Sequence, residues 1–212
     1  MRHLLLILCG LLLASLARAA PPVVCIDPGH PSERNPGRAL QHGLREVEVN
    51  WAVAELLAAR LKEQGVAVVL TKSRLDEFVT NRRRAEIANA AGAALFLRLH
   101  CDTGPGRGYT LYYPDRQGGV NGHSGPPAAV RAASKAAAEA LRAGMAAQPP
   151  ALRDNGLRGE SATYVGKRQG ALTGSIYSRV PAVTVEMAFL SHRHDAAYIG
   201  STLMPAVLGQ AA

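Results

Sequence analysis

Val23-Val24-Cys25-Ile26-Asp27-Pro28-Gly29-His30 is the stretch on which the fold turns. A short apolar run closed by Pro-Gly reads as a buried strand followed by a sharp turn. Outward from it, Glu46 to Gln64 places Val49, Val53, Leu56, Leu57 and Leu61 at helical spacing, and Gly65 supplies the stop. Val66 to Leu70 reads as the next strand, Asn81 to Ala91 as a second helix and Ala94 to Leu99 as a third strand. Strand, helix, strand, helix, strand is the pattern of an α/β sheet with crossover connections. The expected fold is therefore α/β: one domain, with a mostly parallel or mixed central sheet flanked by helices. Beyond it, Tyr109 to Tyr113 is a further strand and Ala128 to Ala147 an Ala-rich helix. Ala182 to Val185 is the last clear strand. Pro114 to Pro127 and Pro149 to Gly170 read as loops, the first rich in Gly and Pro.

The chain has 212 residues, enough for one domain with a sizeable core. Its first residues read as an export signal: Met1-Arg2-His3, the apolar run Leu4 to Leu16, then the small-x-small site Ala17-Arg18-Ala19. The run is shorter than the roughly 20 apolar residues that span a bilayer, so the expectation is a cleaved leader over residues 1–19 and a functional domain over 20–212. That predicts an exported protein, periplasmic or extracellular, with no stable membrane insertion once the leader is removed. Without Arg2 and Arg18 the chain still carries 22 basic residues against 16 acidic. No Lys/Arg run is interleaved with aromatics, and aromatics make up 5% of residues, so nucleic acid is not the expected partner. An anionic polymer of the cell envelope suits the sign of the charge, as does a plain solubility role. Cys25 and Cys101 remain after cleavage. An exported chain permits a disulfide between them, but two cysteines are no framework, and both read as small core residues.

Four polar residues fall at or near strand ends: His30 after the first strand, Glu46 at the start of the first helix, His100 after the third strand and Glu186 at the end of the last. Ligands of open α/β sheets sit beyond the carboxyl ends of the strands, so these four side chains can converge in one crevice. Two imidazoles and one carboxylate form a common catalytic zinc set with a position left for water, and the remaining carboxylate is then free to move protons. Each signal has a plain structural reading as well. A strand-end His is often a hydrogen-bonder, and a carboxylate at a helix N-terminus is favoured by the dipole. Glu186, between Val185 and Met187, is harder to explain that way, because a carboxylate ending an apolar strand needs a partner. Asp27 is a candidate to orient a ligand histidine through its ring N–H.

Six segments in order resemble the zinc-dependent N-acetylmuramoyl-L-alanine amidases of the AmiC and CwlV type. Ile26-Asp27-Pro28-Gly29-His30 resembles that family's opening zinc motif, and Gly43-Leu44-Arg45-Glu46-Val47-Glu48-Val49-Asn50 its second. Val69-Leu70-Thr71-Lys72, Arg84-Ala85-Glu86-Ile87-Ala88-Asn89 and Leu99-His100 are similar to the three that follow. Pro181 to Ser191 is similar to the closing Pro-Ala-Val-Leu-Val-Glu segment. The resemblance runs from about Val23 to the C-terminal end. It implies His30, Glu46 and His100 as zinc ligands and Glu186 as the catalytic carboxylate. The implied reaction is hydrolysis of the amide between N-acetylmuramic acid and L-alanine in peptidoglycan. Glu48 is the rival to Glu46, but two residues along a helix turn a side chain roughly 200° away. Arg98 stands where the family has Ser, Cys101-Asp102 where it has Ala-Asn, Ala188 for Gly and His192 for Asn. His192 and His194 are expected at the surface. Two other readings remain open at this level: a catalytically idle wall-binding or regulatory protein, and a zinc peptidase cutting within the stem peptide. No separate wall-binding module is visible, which leaves room for a regulatory or targeting partner of a monomeric enzyme.

Overall fold

The computed structural model describes residues 21–147 and 152–208. The leader expected over residues 1–19 lies outside the described residues, as do residues 149–151 of the expected 149–170 loop. A six-stranded mixed sheet forms the centre, in the order β4-β1-β5-β10-β6-β9. Its strands are β1 (Val23–Pro28), β4 (Ala67–Leu70), β5 (Leu95–Asp102), β6 (Tyr109–Tyr113), β9 (Asp154–Gly159) and β10 (Ala182–Phe189). β4, β1, β5 and β10 run parallel. β6 lies antiparallel to β10, and β9 runs parallel to β6. Two short ribbons, β2 (Leu40–Gln41) with β3 (Leu44–Arg45) and β7 (Gly118–Val120) with β8 (His123–Gly125), stand apart from it.

Helices cover both faces. On one, Ala54 and Ala58 of α1 (Glu46–Glu63) and Ala138 of α3 (Ala128–Ala146) pack on Ile26, Leu97, Leu99, Leu111, Val183 and Val185. On the other, Ala85 and Ala88 of α2 (Asn81–Ala90) meet Cys25, Phe96 and Ala182. Alternate residues of a strand face opposite sides of the sheet, and the small alanines let α2 approach closely. Thr80 caps α2 through its hydroxyl, which accepts the Arg83 amide N–H at 3.1 Å. Three further helices, α4 (Tyr164–Gln169), α5 (Thr173–Tyr177) and α6 (Arg193–Leu208), complete the chain. Among the described residues no helix is long and apolar enough to cross a membrane.

The expected strand-helix order holds within a residue or two for β1, α1, β4, α2, β6 and α3. Two expected loops are corrected. Residues 114–127 contain the β7-β8 hairpin, and residues 149–170 contain the edge strand β9, a 3-10 turn over Glu160–Ala162 and α4. β5 and β10 also run on through His100 and Glu186, so those two residues lie inside strands rather than at their tips. Cys25 and Cys101 are free thiols. Cys25 belongs to the α2-side cluster and Cys101 to a third cluster with Val49, Ala188 and Leu190.

Candidate metal centre

The period-2 rule also sorts the polar residues. Phe96, Arg98 and His100 alternate along β5 with the apolar Leu97, Leu99 and Cys101, and Ala182, Thr184 and Glu186 do the same on β10. Arg98 is in register with Thr184, and His100 with Glu186. One face of two adjacent strands thus changes from apolar to polar toward its carboxyl end. The register of β10 against β5 shifts between Glu186 and Phe189, which ends the regular pairing beside the site.

His30, Glu46 and His100 come together there, with one potential ligand atom from each lying within 4.8 Å of the others. Glu46 Oε1 stands 3.1 Å from His30 Nε2 and 3.1 Å from His100 Nδ1. The two rings meet edge to face with centroids 4.9 Å apart. Burial disfavours the charged Glu46 carboxylate, but hydrogen bonds to His100 and His30 outweigh this and hold its carboxyl well below the usual range. Desolvation in turn lowers the pKa of His100, favouring the neutral, ligating ring. The Cys101 amide N–H and the Asn50 side-chain amide also donate to Glu46 Oε1, at 3.2 and 3.4 Å. Glu48 pairs with Arg45 at the surface instead.

The His30 ring is fixed from behind by a backbone carbonyl: Nδ1 donates to Asn35 O at 2.9 Å, and Nε2 faces Glu46. This corrects the expectation for Asp27. Asp27 is fully buried and bonds no histidine. Its Oδ1 accepts from Thr71 and from Arg84, each at 2.5 Å, and its Oδ2 from Arg98 at 3.0 Å. Two guanidiniums and a hydroxyl keep its carboxyl ionised against the cost of burial. Asp27 acts instead by holding Arg84, which clamps the metal loop. Arg84 donates to the carbonyls of Pro28 and Pro31, each at 2.8 Å, and of Val79 at 2.9 Å. Lys72 Nζ donates to the carbonyls of His30, at 2.5 Å, and Leu75, at 2.9 Å. Burial and the nearby Arg84 charge lower the Lys72 ammonium to about 8. These bonds retain His30 at φ +63°, a left-handed conformation uncommon outside glycine.

Glycine serves the site twice. A β-carbon on Gly29 would stand 2.6 Å from both ring nitrogens of His100, and one on Gly37 would stand 2.6 Å from His30 Cβ. Each imidazole therefore rests directly on bare backbone.

Glu186 shares a cleft with His30, His100, Arg98 and Thr184. Its Oε2 is buried with no hydrogen-bond partner among the described residues. Desolvation first, then the charges of Glu46 and Asp102, push its carboxyl well above the ordinary range. His192 and His194 face Asp195 and are 33% and 71% exposed in their side chains, away from the imidazole pair. Sequence reasoning assigned no role to Asn35, Asn50, Lys72 or Arg84. Asn50, Lys72 and Arg84 sat inside quoted motifs, and that was their only signal.

Two imidazoles and one carboxylate, converging where an acid unpartnered among the described residues faces them, fit a divalent zinc ion in donor chemistry and in geometry. Fold and site together define a zinc-dependent hydrolase on an α/β scaffold. Residues 24–212 match the family model described as N-acetylmuramoyl-L-alanine amidase, and the chain belongs to that family. It is 32% identical to YqiI of Bacillus subtilis (strain 168), over 92% of this chain and 86% of that one. It is also 32% identical to the N-acetylmuramoyl-L-alanine amidase LytC of the same organism, over 82% of this chain but 30% of LytC, so it spans less than a third of that enzyme. Among solved structures, the amidase Ami1 of Mycobacterium abscessus shares the fold, with TM-score 0.67 and 23% identity over 89% of this chain and 98% of that one.

Proposed function

We propose that His30 Nε2, Glu46 and His100 Nδ1 hold the zinc ion and that Glu186 is the catalytic acid–base in cleavage of the amide between N-acetylmuramic acid and L-alanine of peptidoglycan. The supporting observation is the convergence of three donor atoms within 4.8 Å beside a buried carboxylate oxygen that has no partner. Bound zinc supplies a Lewis acid for the scissile carbonyl and eases deprotonation of water at neutral pH. Glu186 Oε2 accepts the proton of the attacking water and returns it to the nitrogen as the C–N bond breaks. An amine leaves poorly unless protonated, so this return is the step that most needs the residue. A carboxyl raised by burial suits a group that must take a proton and give it back.

Residues 20–212 are the catalytic domain in this reading, released by cleavage of the leader and acting as a monomer on the wall outside the cytoplasm. A regulatory or targeting partner would direct it, and nucleic acid has no part in its function. The test is metal analysis of the purified protein together with digestion of purified sacculi with and without chelator. Release of whole stem peptides beginning with L-alanine, abolished by chelator and by Glu186→Ala, is the expected outcome. Cleavage only within the stem peptide, or full digestion by Glu186→Ala, would overturn the assignment.

A further inference from the structure

One wall of the cleft beside the imidazoles holds this chain's departure at Arg98. Arg98 is 3% exposed, a guanidinium withdrawn from water. Its Nε donates to Asp27 Oδ2 at 3.0 Å and its Nη2 to Asn81 Oδ1 at 2.6 Å. Nη1 has no partner among the described residues. Gly174 faces it bare, and a β-carbon there would stand 3.1 Å from Nη1. Across the strand pair, Thr184 is 2% exposed and its Oγ1 is buried without a partner among the described residues. Asp27 is already shared between Arg84 and Arg98, so two buried cations lean on one carboxylate. The other acids facing Arg98 are Glu160, bonded to Ser175 and to the Leu172 amide, and Glu186, committed to proton transfer in the reading above. The cleft thus holds an unspent guanidinium donor and an unspent hydroxyl.

We infer that Arg98 and Thr184 form a carboxylate subsite that binds a free carboxylate of the stem peptide, on the residue following the L-alanine, and so set substrate preference. This rests on the amidase reading. The spacing agrees: Arg98 precedes His100 by two residues along β5, about 6.6 Å of strand. A carboxylate one residue past the alanine lies about 6–7 Å along an extended chain from the scissile nitrogen. Guanidinium matches carboxylate geometry, and a carboxamide in its place would present an N–H to a site that offers mainly donors.

Two synthetic muramoyl peptides test this, identical except that the residue after L-alanine bears a free α-carboxylate in one and a carboxamide in the other. The zinc-loaded protein should prefer the carboxylate by about tenfold or more in kcat/KM, mostly through KM, as expected for a charge-assisted hydrogen bond. Arg98→Ser should bring the ratio within about twofold. Thr184→Val should reduce the ratio while keeping the wild-type urea midpoint, so the outcome does not depend on the folding of the arginine variant. Calorimetry with the two product peptides should show the same preference without turnover. A wild-type ratio below about twofold, or an Arg98→Ser variant that keeps the preference, overturns the subsite alone. If neither probe is cut, the amidase reading falls and the inference with it.

Discussion

The imidazole of His100 occupies the space where a side chain on Gly29 would begin: a β-carbon there would lie 2.6 Å from both ring nitrogens. The Pro-Gly turn after β1 is therefore a packing surface for a residue 71 positions further along the chain. Gly29→Ala should displace the ring and weaken zinc binding by about 10–100-fold, the range seen when the surroundings of a metal ligand are disturbed. Competition titration against a chromogenic chelator measures this directly. Wild-type affinity in the variant would show that the ring has room to move.

Glu186→Gln keeps the size of the side chain and removes its ability to cycle a proton. Sacculus digestion should slow by about 10²- to 10⁴-fold while zinc stoichiometry stays at the wild-type value. Loss of zinc from this variant would instead make Glu186 a ligand.

Arg84→Met should be costly to the fold. It removes the donors to the Pro28, Pro31 and Val79 carbonyls and leaves Asp27 buried with one cation in place of two. Breaking one side of a buried ion pair costs about 3–5 kcal/mol. Urea denaturation of the metal-free protein should show a loss of that order, and a loss below about 1 kcal/mol would mean that Arg98 alone satisfies Asp27.

Glu160 provides a pH signature. Burial pushes its carboxyl up to about 7 against the hydrogen bonds from Ser175 and the Leu172 amide. The unfolded value is about 4.3, so between these values the folded chain holds a proton that the unfolded chain has released. Its contribution is full below the unfolded value and is lost as pH rises toward 7. Glu160→Gln should flatten that decline in metal-free protein, read as thermal midpoints from pH 4 to 8. An unchanged slope would assign the pH dependence elsewhere.

The four residues around the metal centre were legible because each stands where an apolar pattern breaks into charge: after Pro28-Gly29, at the start of α1, and within β5 and β10. Their supports were not. Nothing local to Lys72 or Arg84 marks them as buried; it takes Asp27, 57 positions before Arg84, to hold that guanidinium inside. Asn35 acts through its backbone carbonyl, which no side-chain pattern can signal. β9 was hidden because Asp154-Asn155-Gly156-Leu157-Arg158-Gly159 contains a single apolar residue, and its place in the sheet comes from main-chain pairing along the edge with β6. The β7-β8 hairpin is too rich in glycine to carry an alternating pattern. Asp27 was misread because its position inside the first motif, three residues before His30, suggested a role on the ring, whereas its strand parity turns it toward α2.

Cys25 and Cys101 sit in separate apolar clusters as thiols, and burial pushes Cys25 up to about 12. Among the described residues the fold is therefore closed without a disulfide. Reductant in a preparation should leave the melting curve of the purified protein untouched.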